Sequence, residues 1–168
     1  MKTKKIAIVY YSMSGNAHYI AEKLAETLEG ETDIIRLEPV MPYAEKGAMK
    51  FIGGGKAAVF GEKPELKMYS FEPKEYDMVI LGTPVWAGTF APPLRTFMLH
   101  NKLNKMNVAL FATSDSGNAE KCFEKLAKYL KKSNIMGTLS MTSPAKNKTG
   151  DALYEIRKFA SELNEARK

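Results

Sequence analysis

Cysteine is nearly absent. Cys122 is the only one in 168 residues, which leaves no intramolecular disulfide and no multi-cysteine metal site. Its place in a helical apolar pattern marks it as a small buried hydrophobe. Histidine is almost as scarce: His18 and His100 have no metal-ligand company and read as solvated side chains. No apolar run reaches the ~20 residues that a membrane helix needs. Lys2, Lys4 and Lys5 ahead of Ile6 to Met13 resemble the start of a signal peptide, but the run is short and no A-x-A-like site follows, so the stretch reads as a first strand in a cytoplasmic protein. Neither G-x-x-x-x-G-K-[ST] nor G-x-G-x-x-G occurs, which removes most support for a nucleoside-triphosphatase or a dinucleotide fold. The triplet Gly53-Gly54-Gly55 before Lys56 has no clear strand ahead of it and carries Ala57 where Ser or Thr is needed. Repeats and low-complexity segments are also lacking.

Basic residues outnumber acidic ones by 25 to 19, giving a net charge of +6 that reads as spread over chain ends and helix faces. No helix-turn-helix, RNA-recognition or zinc-finger pattern accompanies it, so nucleic acid is not expected as a partner. The length suits one domain, residues 1–168, burying roughly 70% of the unfolded surface.

What is present is an alternation of apolar runs and amphipathic segments. Ile6 to Tyr11 is an apolar run that stops in Ser12-Met13-Ser14-Gly15-Asn16-Ala17, after which Ile20, Ala21, Leu24, Ala25 and Leu28 fall at helical spacing. A helix start presents backbone N–H groups without intrahelical partners and a positive dipole end, so this turn suits an anion of phosphate size. The simpler role for such a serine-rich turn is an N-cap. Thr32 to Leu37 reads as a second strand, and Tyr43 to Met68 as a short helix with a break. Met78 to Leu81 is a third strand ending in Gly82-Thr83-Pro84-Val85-Trp86-Ala87-Gly88. Trp86, the only tryptophan, lies in that loop, where α/β proteins place ligand contacts. Asn107 to Ala112 is a fourth strand, followed by Thr113-Ser114-Asp115-Ser116-Gly117 and a helix; Ile135 to Met141 is a fifth, before a closing helix. Strand and helix alternate throughout, which implies a parallel sheet covered on both faces with the polar loops at its carboxyl edge.

The first loop resembles the Ser/Thr-x-Thr-Gly-Asn-Thr phosphate loop of the flavodoxin family. Gly82-Thr83-Pro84-Val85-Trp86, with Pro92-Pro93 and Phe97 downstream, is similar to that family's second flavin loop, and Thr113 to Gly117 to its third. The resemblance implies a doubly wound α/β three-layer sandwich of five parallel strands, order 2-1-3-4-5, binding FMN. It implies that Ser12, Met13, Ser14, Gly15, Asn16 and Ala17 hold the phosphate. Thr83, Pro84, Val85, Ala87 and Gly88, with Thr113, Ser114, Asp115, Ser116 and Gly117, would hold the ring, and Trp86 would stack on it. The flavin would carry the electrons, with no catalytic acid–base pair required. A turn of type II at Ala87–Gly88 would let that peptide flip toward the reduced flavin.

Three departures qualify the match. Ala17 replaces a threonine, Gly117-Asn118 stands where many flavodoxins carry a second ring-covering aromatic, and the chain is basic where flavodoxins are usually acidic. The basic charge favours acidic redox partner proteins. A monomer or weak dimer without membrane attachment is expected. The uncovered flavin face keeps an NAD(P)H-dependent FMN or quinone oxidoreductase of the same fold as the alternative. A phosphoryl-accepting receiver domain is disfavoured, because Tyr10-Tyr11 and Gly82-Thr83 stand where its carboxylates belong.

Overall fold

The computed structural model describes residues 5–43, 58, 60–146 and 150–168. Most of the expected helix-and-break between Tyr43 and Met68, including Gly53-Gly54-Gly55, lies outside the described residues. Among those described, the elements are β1 (Lys5–Tyr10), α1 (Asn16–Thr27), β2 (Glu31–Arg36), β3 (Met78–Trp86), β4 (Thr89–Phe90), α2 (Pro92–His100), β5 (Asn107–Ser114), α3 (Glu120–Tyr129), β6 (Asn134–Thr142) and α4 (Gly150–Ala166).

Five parallel strands run in the order β2-β1-β3-β5-β6, and β4 folds back on the end of β3 as an antiparallel strand. The spatial order is the expected one. The added hairpin strand shifts the chain numbering from 2-1-3-4-5 to 2-1-3-5-6 and extends the third strand five residues past Leu81.

Because side chains alternate along a strand, β1 feeds two cores. Ile6, Ile8 and Tyr10 pack with Ile20, Leu24, Ile156 and Leu163 under α1 and α4, whereas Ala7 and Val9 pack with Leu94, Phe97, Cys122 and Leu126 under α2 and α3. Strands β1, β3 and β5 are apolar on both faces, as parallel strands covered on both sides must be. Cys122 is fully buried, and loss of solvation pushes its thiol up to about 12. Gly82 is required by close approach: a Cβ there would fall 2.0 Å from the ring of Phe111 on the neighbouring strand. None of the described helices is long and apolar enough to cross a membrane.

Beyond the strand ends, Tyr11 N–H donates to the Gly82 carbonyl (3.1 Å) and Leu37 N–H to the Tyr10 carbonyl (2.7 Å). These bonds prolong the sheet just far enough to fix where each polar loop departs.

Candidate cofactor cleft at the carboxyl edge

The loop between β1 and α1 is folded by its own side chains. Gly15 caps α1 with φ 89°, a left-handed conformation that a residue with a Cβ resists, and no atom lies within 4 Å of where a Cβ would be. Its N–H donates to Ser12 Oγ (3.1 Å), and Arg36 reaches across from β2 to donate to the Ser12 carbonyl (3.1 Å). Asn16 Nδ2 donates to Ser14 Oγ (3.1 Å), while Asn16 Oδ1 accepts from the Ala145 N–H (3.0 Å), tying the loop to the segment after β6. Helix α1 has no side-chain cap and no acidic residue in its first turn. Its free N–H groups and positive dipole end therefore stay available to an anion. Ala17 is 1% exposed and belongs to the core beneath α1, which accounts for a methyl where the resembling loops carry a hydroxyl.

The second loop is a hairpin. Ala87 and Gly88 both have positive φ, 49° and 71°, between the paired residues Trp86 and Thr89. Two left-handed central residues make a type I′ turn, which matches the twist of the flanking strands, so the expected type II turn is corrected. Reversing the central peptide of a type I′ turn gives type II′, which wants glycine at the position Ala87 holds. Thr83 is fully buried, and its hydroxyl accepts from the Ala91 N–H (2.9 Å) and donates to the Pro84 carbonyl (2.8 Å), so it braces the wall from behind. Trp86 is held edge-on by Tyr11 at 5.5 Å and Tyr43 at 5.3 Å between ring centroids. Sequence reasoning missed that pair. Tyr11 belonged to an apolar run and Tyr43 to the start of the stretch expected as a short helix with a break, and neither carries a motif.

The third loop is open. Asp115, Ser116 and Gly117 are exposed, and Gly117 is secured through its carbonyl, which accepts from Ser140 Oγ (3.3 Å). Ser114 Oγ is one of three buried side-chain polar atoms without a hydrogen-bond partner among the described residues. Leaving such a group unpaired costs about 1–3 kcal/mol.

Met13, Ser14 and Asn16 from the first loop, Pro84 to Ala87 from the second and Thr113 to Asp115 from the third line one cleft of about 640 Å³, measured out to the solvent. Ser12, Gly15, Ala17, Thr83, Gly88, Ser116 and Gly117 shape or flank it without lining it.

Two sites read as unremarkable turn out differently from one another. His100 is exposed. His18, expected to be solvated, is half-buried: its Nδ1 is hydrogen-bonded to the Tyr10 hydroxyl and its Nε2 lies 3.2 Å from Glu22. Burial raises the Tyr10 phenol above its ordinary value, so that hydroxyl keeps its proton, and the direction of its bond to Nδ1 follows the His18 tautomer.

A doubly wound parallel sheet with an uncapped helix start, an aromatic wall and a third polar loop converging at its carboxyl edge defines a switch-point ligand-binding protein. The family model described as Flavodoxin matches residues 5–155, and the chain belongs to the flavodoxin family. It is similar to the NAD(P)H dehydrogenase (quinone) of Syntrophus aciditrophicus (strain SB), 31% identical over 99 residues that make up 56% of this chain and 46% of that protein. The chain thus spans about half the length of that curated relative. Among solved structures, a flavoprotein in complex with FMN from Lactobacillus acidophilus aligns with TM-score 0.70 and 23% identity over 86% of this chain and 97% of its own. A flavoprotein from Bacteroides uniformis aligns with TM-score 0.73 and 19% identity over 95% and 99%.

Proposed function

We propose that this protein binds FMN in the cleft at the carboxyl edge and carries electrons between redox partners. The observation that carries this reading is the convergence of three separate loops on one cleft. That cleft has an uncapped helix start and, at a wall, the chain's only tryptophan. The residues suit the cofactor. The first turn of α1, with the Ser14 hydroxyl and Asn16, offers neutral donors to a phosphate, and Trp86 offers an apolar face to a flat ring. The unpartnered Ser114 hydroxyl supplies a polar group that gains a partner when a ligand is present. Bound FMN supplies one- and two-electron redox chemistry, and the protein positions it and sets its surroundings. Residues 1–168 act as one domain in this reading. A cytoplasmic setting is part of the same reading.

A second reading, an NAD(P)H-dependent FMN or quinone oxidoreductase, draws on the Syntrophus relative and on the exposed Asp115 to Gly117 rim, which carries no covering aromatic.

The test is a titration of the purified protein with FMN, followed by visible absorption and by Trp86 emission. Saturation at one equivalent with quenching of Trp86 is expected. Absence of saturable binding overturns the reading. Reduction of the loaded protein by dithionite but not by NADPH supports the carrier, and rapid bleaching by NADPH supports the oxidoreductase.

A further inference from the structure

The net charge of the chain is not spread as its composition suggested. Residues 95–132 hold eight basic and three acidic side chains, five of the six net positive charges, whereas the rest of the chain holds 17 basic and 16 acidic ones. Arg95 is buried and spent on structure, donating to the Tyr129 hydroxyl and the Glu62 carbonyl, both at 3.1 Å. The remaining seven are lysines.

Lys121, Lys125 and Lys128 recur at spacings of four and three along α3 and form an exposed stripe beside the buried Cys122 and Leu126. The stripe starts six residues after Asp115, at the open rim of the cleft. It continues past the helix into Lys131 and Lys132. The Lys105 N–H donates to the Lys132 carbonyl (2.6 Å) and Ser133 Oγ to the Leu103 carbonyl (2.8 Å), which bring the loop bearing Lys102 and Lys105 alongside.

None of these seven lysines forms an ion pair among the described residues. Elsewhere Lys5 meets Glu31, Asp33 and Glu75, Lys23 meets Glu26, Lys67 meets Glu38, Arg167 meets Asp77 and Lys168 meets Glu165, whereas Lys63, Arg157 and Lys158 form no ion pair among the described residues, so what sets the seven apart is their concentration in one stretch. The nearest acids in sequence, Glu120 and Glu124, flank the stripe on α3 without closing a pair with it.

We propose that the outer face of α3, with the lysine-bearing turns that continue it toward the amino edge of the sheet, is the docking surface for an acidic protein partner, its Lys121 end adjoining the exposed rim of the cleft. The occupant is a protein because the lysines stand without the base-reading and bilayer-inserting side chains that accompany them in nucleic-acid and membrane sites. The face has no exposed arginine for bidentate contacts to bases or phosphates, and its exposed aromatic, Tyr129, is held down by Arg95, which donates to its hydroxyl, and by the ring of Phe90. Uncompensated lysines steer an acidic surface and raise its encounter rate, and the Lys121 end of the face leads that surface to the open side of the cleft. Only this last point rests on the proposed electron-carrier role.

The cofactor-free protein is titrated with a fluorescein-labelled oligo-glutamate peptide, followed by anisotropy. Replacing Lys121, Lys125 and Lys128 together by Glu is expected to weaken binding roughly tenfold, from three surface pairs of a fraction of a kcal/mol each. The control variant Lys63→Glu, Arg157→Glu, Lys158→Glu changes net charge equally at exposed positions elsewhere and is expected to weaken it far less. Equal losses in both variants overturn the proposal, as does tighter binding of double-stranded DNA or phosphatidylserine vesicles than of the peptide.

A second arm uses FMN-loaded, photoreduced protein and a small acidic iron–sulfur protein as acceptor, one electron leaving the reduced cofactor for each acceptor reduced. A rate that falls with added salt and in the α3 variant supports the docking face, and a rate insensitive to both overturns it. If FMN fails to bind while the α3-specific loss of peptide binding remains, the electron-carrier reading falls and the docking surface stands.

Discussion

The loops after β1 and after β5 share one cleft, yet hydrogen bonds hold the first from four directions, while the second is tied at its far end and leaves a hydroxyl unpaired. Ser12, Ser14, Asn16 and Arg36 close the first loop on itself and on the segment at Ala145. Asp115 to Gly117 lie in solvent, and Ser114 Oγ lacks a partner. A phosphate gains from donors already in place, since binding then orders little. A ring whose edge must exchange electrons gains from an open side. In the proposed reading, the contrast separates the end of the cleft that would hold the phosphate from the end at which the ring would exchange electrons.

The most damaging change to the holding end is a like charge. Ser14→Asp places a carboxylate at the start of α1 and is expected to weaken FMN on the order of a hundredfold while leaving riboflavin nearly unaffected. Equal losses for both ligands would show that the phosphate does not sit there. Asn16→Ala removes the bonds to Ser14 and Ala145 and is expected to cost about tenfold in FMN affinity, with a lowered melting temperature. An unchanged affinity would show that the loop is held by its remaining bonds alone.

At the open end the signs divide. Ser114→Ala deletes a buried hydroxyl without a partner, so the cofactor-free protein should be equally or slightly more stable, whereas FMN affinity should fall by about threefold. Thermal melts with and without FMN separate the two, and a parallel loss in both would make Ser114 a structural residue. The smallest effect concerns Tyr43, which braces Trp86. Burial, with a lesser contribution from Glu62, holds its phenol up to about 12, while Arg95 acts the other way. The unfolded chain loses this proton near 10, so the contribution is complete below that value and is lost as pH rises toward about 12. Tyr43→Phe should flatten the alkaline limb of stability measured by urea melts.

Much of this cleft was legible because the three strands that feed it are apolar on both faces and stop in small polar residues. That pattern survives in one sequence, and so do the loops it ends in. The hairpin strand β4 was not legible: Thr89–Phe90 is too short for any period, and the left-handed Ala87 contradicts the usual preference for glycine or asparagine. Nor could sequence show that Thr83 turns its hydroxyl inward, that His18 meets Tyr10, or that Tyr11 and Tyr43 brace Trp86. Each depends on contacts between residues far apart or on rotamers. The lysine stripe was visible in the sequence as letters, but its significance came from the shared exposed face of α3 and the turns beside it, which only the fold reveals.

The fully buried Cys122 has one more consequence. A thiol that lies in the sheet–α3 interface and titrates near 12 is silent toward alkylating reagents while the domain is closed, and it becomes an ordinary reactive thiol once that interface parts. Because no other cysteine competes, the rate of modification of the unaltered chain is a clock for how often the α3 layer opens, readable by mass without any engineered label.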